Sequence, residues 1–201
     1  VRLRDNKILE TGNLSAFPGE TVTNGSGQVL APGFIDSHSH HFGGLQDSPG
    51  GLALVSQGVT SIVIGQDGNS YPIDTIRQIM QKRPVAINIA SYTGHTTLRE
   101  MVMGENDVLR VARPDEVAQM QTLMKTEMEK GSLGLATGLE YERAFYSNRS
   151  EVLDLAKTTA ALGGRYISHI RSEDVSLDEA IDEIIQIGRE AKLPVQISHI
   201  K

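Results

Sequence analysis

Six short apolar runs, separated by stretches of a different rhythm, constrain this chain more than any other feature. They are Gly33–Asp36, Thr60–Gly65, Val85–Ser91, Ser132–Thr137, Arg165–His169 and Val195–His199. Each has the length and the β-branched content of a buried strand. Between them the period changes to that of a helix. Ile73–Lys82 repeats Ile73, Ile76, Ile79 and Met80 at spacings of three and four. Pro114–Lys130 places Val117, Met120, Leu123, Met124 and Met128 on one stripe, begins with Pro114 and two acids, and stops before Gly131. The methionines read as core filling. Ser176 to Glu179 has the form of a capping box opening a helix through Ile181, Ile184, Ile185 and Ile187. Buried strands alternating with helices predict an α/β fold with a parallel sheet.

Neither G-x-G-x-x-G nor a P-loop follows any of these runs, so a doubly wound nucleotide-binding sheet lacks support. The candidate ligands stand instead at the C-terminal ends of several strands, the arrangement of a (β/α)8 TIM barrel. A complete barrel typically needs about 250 residues; residues 32–201 hold about six of its eight strands. Residues 1–31 change character. Gly12, Pro18-Gly19, Asn24-Gly25 and Gly27 break them into a few short strands, expected to be the remnant of a small β-sandwich domain.

Composition narrows the function classes. A net charge of −6 with both signs interspersed argues against nucleic acid or an anionic membrane as partner. No apolar run is long enough to span a bilayer. The start, Val1-Arg2-Leu3-Arg4-Asp5, is charged and lacks a methionine, so the sequence is expected to be cut from something larger. The absence of cysteine removes thiolate metal sites and disulfides, leaving nitrogen and oxygen ligands. It fits a reducing, cytoplasmic setting.

The chemistry concentrates after the first run, in Val29–His41 (VLAPGFIDSHSHH). Extended backbone turns His38 and His40 to one face, and Ser39 and His41 to the other. Two imidazoles on one face are half a site for zinc or a neighbouring divalent ion. Any strand end can carry such a pair, so the partners matter. They are found in an internal echo, Ile-Ser-His169-Ile-Arg171 and Ile-Ser-His199-Ile-Lys201, one strand–helix unit apart. Either histidine alone is better read as a core residue; both together with the H-x-H pair predict four imidazoles facing a common centre.

Two metals would need a bridging anion. Glu140 in Gly-Leu-Glu140-Tyr141 is preferred, because a glutamate just behind an apolar strand is poorly placed for solvation. Asp67 in Gln-Asp67-Gly68 is a candidate ligand too, although a turn-forming Asp-Gly is the simpler account. Asp36 either orients an imidazole or hydrogen-bonds at the strand end. His95, expected in a loop after the third strand, could bind substrate or a developing oxyanion. Tyr141, Arg171 and Lys201 could hold a carboxylate or polarise a carbonyl.

Ala31-Pro-Gly-Phe-Ile-Asp-Ser-His-Ser-His40 resembles the first-strand signature of the amidohydrolase superfamily, metal-dependent hydrolases built on a (β/α)8 barrel with a small β-sandwich. Gly94-His-Thr-Thr-Leu-Arg99, Gly134-Leu-Ala-Thr-Gly-Leu-Glu-Tyr141, His169-Ile-Arg-Ser-Glu173 and Ser198-His-Ile-Lys201 are similar to its D-aminoacylase branch, the N-acyl-D-amino-acid deacylases. The resemblance implies His38 and His40 on one metal, His169 and His199 on another, and one or two zinc ions in all. Many superfamily members bridge their metals with a carboxylated lysine after the fourth strand. None stands there in this chain, and Glu140 would take that place. Some deacylases use a cysteine after the second strand, where this chain has Asp67.

The family's general-base aspartate comes from the eighth strand, beyond residue 201, so no catalytic base is named within this sequence. The implied reaction of the intact protein is hydrolysis of an N-acyl-D-amino acid, a small-molecule amide, by water that the metal activates at neutral pH. This fragment alone is expected to be inactive and, with unpaired sheet edges, prone to self-association. The oligomeric state is not readable. The alternatives are a cyclic-amide hydrolase of the dihydroorotase or hydantoinase kind, or a binding module derived from the barrel.

Overall fold

A computed structural model describes residues 1–5 and 7–200. The chain divides into two compact units, Val1–Pro32 and the remainder from Gly33 onward. In the first unit, β1 (Arg2–Arg4) and β2 (Lys7–Glu10) pair antiparallel, with Leu3 opposite Ile8. Arg2 gathers the rest of this unit: its guanidinium contacts Glu10 and Glu20 and lies 4.1 Å from the centroid of the Phe17 ring. Among the described residues of this unit these are the only strands. The turn signals there serve irregular backbone.

The second unit alternates strand and helix. Its order is β3 (Phe34–Asp36), α1 (Phe42–Asp47), α2 (Leu52–Val55), β4 (Val59–Ile64), α3 (Ile73–Lys82), β5 (Asn88–Ser91) and β6 (Thr93–Gly94). There follow α4 (His95–Met103), α5 (Pro114–Glu129), β7 (Gly134–Gly138), α6 (Glu142–Phe145), α7 (Arg149–Ala161), β8 (Arg165–His169), α8 (Leu177–Ala191) and β9 (Val195–Ile197). All ladders are parallel, in the orders β3-β4-β5 and β6-β7-β8-β9. The two sheets meet through one extended segment. Tyr92 N donates to Ile64 O on one side (2.9 Å), and Leu133 N to Ser91 O on the other (2.9 Å). Spatial order thus equals sequence order, which is what right-handed strand–helix–strand crossovers of similar length produce. Among the described residues, no helix is long and apolar enough to cross a membrane.

Periodicity explains why the helices sit where they do. The predicted stripe of α5 buries Met120 and Met124 against Leu135 and Tyr166 of the sheet and Leu155 of α7, and Ile184 and Ile187 of α8 join the same cluster. Each such fully buried side chain contributes roughly 1.5–3 kcal/mol. Ile73 and Ile76 of α3 pack with Ile62 and Ile64 of β4 in a second cluster. Side chains alternate along each strand, so Tyr166 belongs to the helix-facing core while Ile167 joins Tyr92 and Ala136 in a small separate cluster. His169, two residues beyond Ile167, inherits that second face.

Two local expectations change, and a helix is added. Ser176 does precede α8, but its side chain makes no capping bond, so the capping box is not formed. His95 opens α4 instead of lying in a loop. A further helix, α7, is capped by Asn148, whose Oδ1 accepts from Glu151 N at 2.9 Å. Its signal, Asn-x-x-Glu, lay in the sequence beside a weakly striped segment.

Candidate metal centre

Four strand ends deliver the candidate ligands. β3 stops at Asp36, whose Oδ1 accepts from the His38 backbone N–H at 3.2 Å, the strand-end alternative for this residue. The Ser39 N–H still bonds to Val63 O of β4, holding the turn in place. Ser39 is buried and shares a 2.9 Å contact with Nδ1 of His41, which keeps His41 away from His38 and His40. Asp67 follows β4 in left-handed backbone, φ 59°. Aspartate is one of the few residues that tolerates this conformation. Gly138 at the end of β7 lets this turn press close: a Cβ there would lie 2.4 Å from Asp67 O.

His169 ends β8, and His199 lies two residues past the end of β9. The sequence echo put the two at equal heights, but the ladder pairs Ile197 with Ser168, offsetting the repeat by one residue. The rings meet regardless, 4.6 Å between centroids, because β9 stops at Ile197 and the chain beyond is no longer bound to strand alternation.

The side chains converge. Nε2 of His38 and Nε2 of His40 are 3.2 Å apart, and Asp67 Oδ2 lies 3.4 and 3.1 Å from them. Nδ1 of His169 and Nε2 of His199 are likewise 3.2 Å apart. Asp67 is common to both sets: one of its carboxylate oxygens groups with the ligand nitrogens of His169 and His199 within 4.8 Å. The His38 and His199 rings are 5.7 Å apart, which joins the two halves. Two donors at about 2.0–2.1 Å from a tetrahedral zinc stand roughly 3.3–3.4 Å from each other. The His38–His40–Asp67 triangle and the His169–His199 separation both match that spacing.

Asp67 Oδ1 is buried without a hydrogen bond among the described residues, as is His38 Nδ1, the ring nitrogen opposite the one in the cluster. Buried polar atoms are ordinarily satisfied. Burial lowers the pKa of His38, and the nearby Asp67 only partly opposes this, so the imidazole is held in the neutral, ligating form. A donor set of imidazoles and carboxylate without sulfur suits zinc and its first-row neighbours.

Glu140, favoured from the sequence as the bridge, groups with His169 and Glu173, whose ligand atoms lie within 4.8 Å of one another, and not with the Asp67 sets. Its Oε2 is 2.7 Å from Nε2 of His169, the ring nitrogen opposite the one that meets His199. Asp67, whose Asp-Gly turn looked like the simpler account, is the carboxylate that reaches both histidine pairs. The turn is real and is what aims it. Glu173, which the spacing argument passed over, is buried and contacts Nδ1 of His199, with its other oxygen 3.8 Å from Nε2 of His169. Its only signal was its place in His-Ile-Arg-Ser-Glu.

The four substrate candidates separate. Tyr141 remains at the site, its hydroxyl 3.3 Å from Nδ1 of His169. His95 does not face the cluster: it is fully buried, with Nε2 2.8 Å from Glu151 Oε1 and Arg99 on the same oxygen. Its position at the start of α4 turns it into the helix layer. Arg171 binds Glu183 through two bonds of 2.8 Å and donates to Phe145 O at 3.1 Å, so its fork is already filled by α8 and α6. Lys201 lies outside the described residues.

Comparison with known proteins adds a second line. The sequence profile of the amidohydrolase family matches residues 21–201. A D-aminoacylase of Alcaligenes xylosoxydans xylosoxydans is 34% identical over 223 residues, covering 99% of this chain and 46% of that protein. A crystal structure of D-aminoacylase superposes with a TM-score of 0.78 at 32% identity, over 85% of this chain and 40% of the other. N-acyl-D-glutamate deacylase from Bordetella bronchiseptica, solved with zinc and a phosphonate mimic of the tetrahedral intermediate, gives a TM-score of 0.77 at 27% identity, covering 82% and 39%. The chain therefore spans under half the length of these relatives.

Proposed function

The chain belongs to the amidohydrolase family, and from that premise we propose that the protein it forms part of is a zinc-dependent hydrolase removing the acyl group from N-acyl-D-amino acids. The observation that carries the reading is the meeting of His38 and His40, Asp67, and His169 and His199 at spacings that fit one or two divalent ions. With β5 and β6 taken as one strand interrupted at Tyr92, the parallel strands β3 to β9 are then six of the eight of a (β/α)8 barrel, with the ligands at the C-terminal mouth.

In this reading His38, His40, His169 and His199 hold the metal and Asp67 is shared between the two pairs. A divalent ion bound there would supply Lewis acidity toward the scissile carbonyl and lower the pKa of its bound water toward about 7. The protein's own residues do the rest. Tyr141 donates its hydroxyl to the substrate's carbonyl oxygen, and its position beside His169 brings that oxygen to the cluster. Glu140 and Glu173 hold the outer nitrogens of the His169 and His199 rings. The proton passed to the leaving amine is assigned, by resemblance alone, to an aspartate outside this sequence. Arg171 and His95 are assigned no contact with substrate; Glu183 and Glu151 occupy them.

Steady-state hydrolysis by the zinc-loaded full-length protein tests this. N-acyl-D-amino acids should turn over and their L enantiomers should not. Turnover of hydantoin or dihydroorotate with none of N-acyl-D-amino acids would replace the reading with the cyclic-amide one.

A further inference from the structure

The ring nitrogens of His169 and His199 are used in opposite senses. His169 presents Nδ1 to the cluster and turns Nε2 to Glu140 at 2.7 Å. His199 presents Nε2 and turns Nδ1 to Glu173. A carboxylate only accepts, so each outer nitrogen must carry the proton. In the neutral rings the inner nitrogens are then the acceptors: they stand 3.2 Å apart, and the Tyr141 hydroxyl lies 3.3 Å from that of His169.

The two carboxylates are themselves fixed. Glu173 N donates to Glu140 Oε1 at 3.4 Å, tying one glutamate to the backbone of the other. Glu140 follows β7 and Glu173 follows β8, so adjacent strand ends supply both. Glu173 is almost completely buried, where a carboxylate persists only with charged or hydrogen-bonded company.

We propose that Glu140 and Glu173 are a matched pair of positioning residues that pre-set opposite tautomers, Nε2–H on His169 and Nδ1–H on His199, so that both rings are ready to ligate before the ion arrives. The functional consequence rests on the metal reading above; the tautomers do not.

The test is side-chain 15N–1H correlation on the full-length protein with 15N-labelled histidine, free of metal. The expected spectrum shows His169 protonated at Nε2 and His199 at Nδ1. Glu173→Gln should mix the tautomers of His199 and leave His169 as it was, and Glu140→Gln should do the reverse. Zinc titration should find affinity lowered by about 10–100-fold in each variant at unchanged stoichiometry, with partial recovery in Glu173→Asp. Wild-type protein with His199 protonated at Nε2, or variants whose tautomers and zinc affinity match wild type, would overturn the proposal. Should a variant not fold, the wild-type spectrum decides. A wild type with the expected tautomers but no zinc binding would instead sink the metal reading and leave the pairing intact.

Discussion

Asp67 Oδ2 and His40 Nε2 lie 3.1 Å apart although they come from different strand ends, and the carboxylate turns between two histidine pairs from a left-handed residue. Asn tolerates the same backbone and has the same shape but no charge. Asp67→Asn is therefore expected to keep the fold and lose zinc affinity by at least tenfold. Isothermal titration with zinc, alongside thermal unfolding of the metal-free variant, separates the two effects.

Ligand binding to the native state raises its stability by mass action, about 2.7 kcal/mol when free zinc is 100 times its dissociation constant. The full-length protein should accordingly unfold at higher temperature with zinc than after chelation. His199→Ala should abolish most of that difference while changing the chelated form little, because His199 is only half-buried. Calorimetric scans with and without chelator check this; an undiminished zinc effect in the variant would remove His199 from the ligand set.

His95, Arg99 and Glu151 form an ion network sealed inside the helix layer, where Arg99 also donates to Val108 O (2.7 Å) and Arg110 O (2.6 Å). Removing one member of a buried ion pair strands the other, at a cost of about 3–5 kcal/mol. Arg99→Met should show a loss of that order in urea denaturation, with zinc binding retained in whatever fraction stays folded.

The same network predicts a pH dependence. Burial raises the pKa of Glu151, but His95 and Arg99 together outweigh it and hold the carboxyl below its ordinary value. The folded state then takes up a proton less readily than the unfolded one. Its stabilising contribution is complete at neutral pH and is lost as pH falls below the ordinary carboxylate range and through the folded-state value. Denaturation midpoints of wild type should drop across that acidic window, and the drop should be shallower in Glu151→Gln.

Gly138 leaves the room in which the Asp67 turn sits. A Cβ there would meet Asp67 O at 2.4 Å and the Tyr141 ring at 2.5 Å. Backbone cannot yield as a side-chain tip does, so Gly138→Ala should displace the Asp67 turn and cost about 1–3 kcal/mol. Zinc affinity should fall with it. A variant binding zinc as wild type does would show that the turn is not positioned by this contact.

Local pattern disclosed most of the architecture. Strand runs such as Arg165–His169 and helices such as Ile73–Lys82 appear where the period put them, because burying one face of each element is a property of its own residues. The weakly striped α7 and the short α4 escaped notice, since their burial depends on neighbours from other parts of the chain. The four histidines were legible too, being chemically conspicuous at strand ends.

The sequence by itself determined the strand–helix order and the residue types that gather at the strand ends, because periodicity and side-chain chemistry are carried along the chain. Only the tertiary structure decided that Asp67 groups with both histidine pairs, that Glu140 and Glu173 reach the outer nitrogens of His169 and His199, and that His95 turns inward to Glu151. Those choices depend on ladder offsets, a positive φ and the close approach of Gly138. These are relations between segments far apart in sequence, and no single segment contains them.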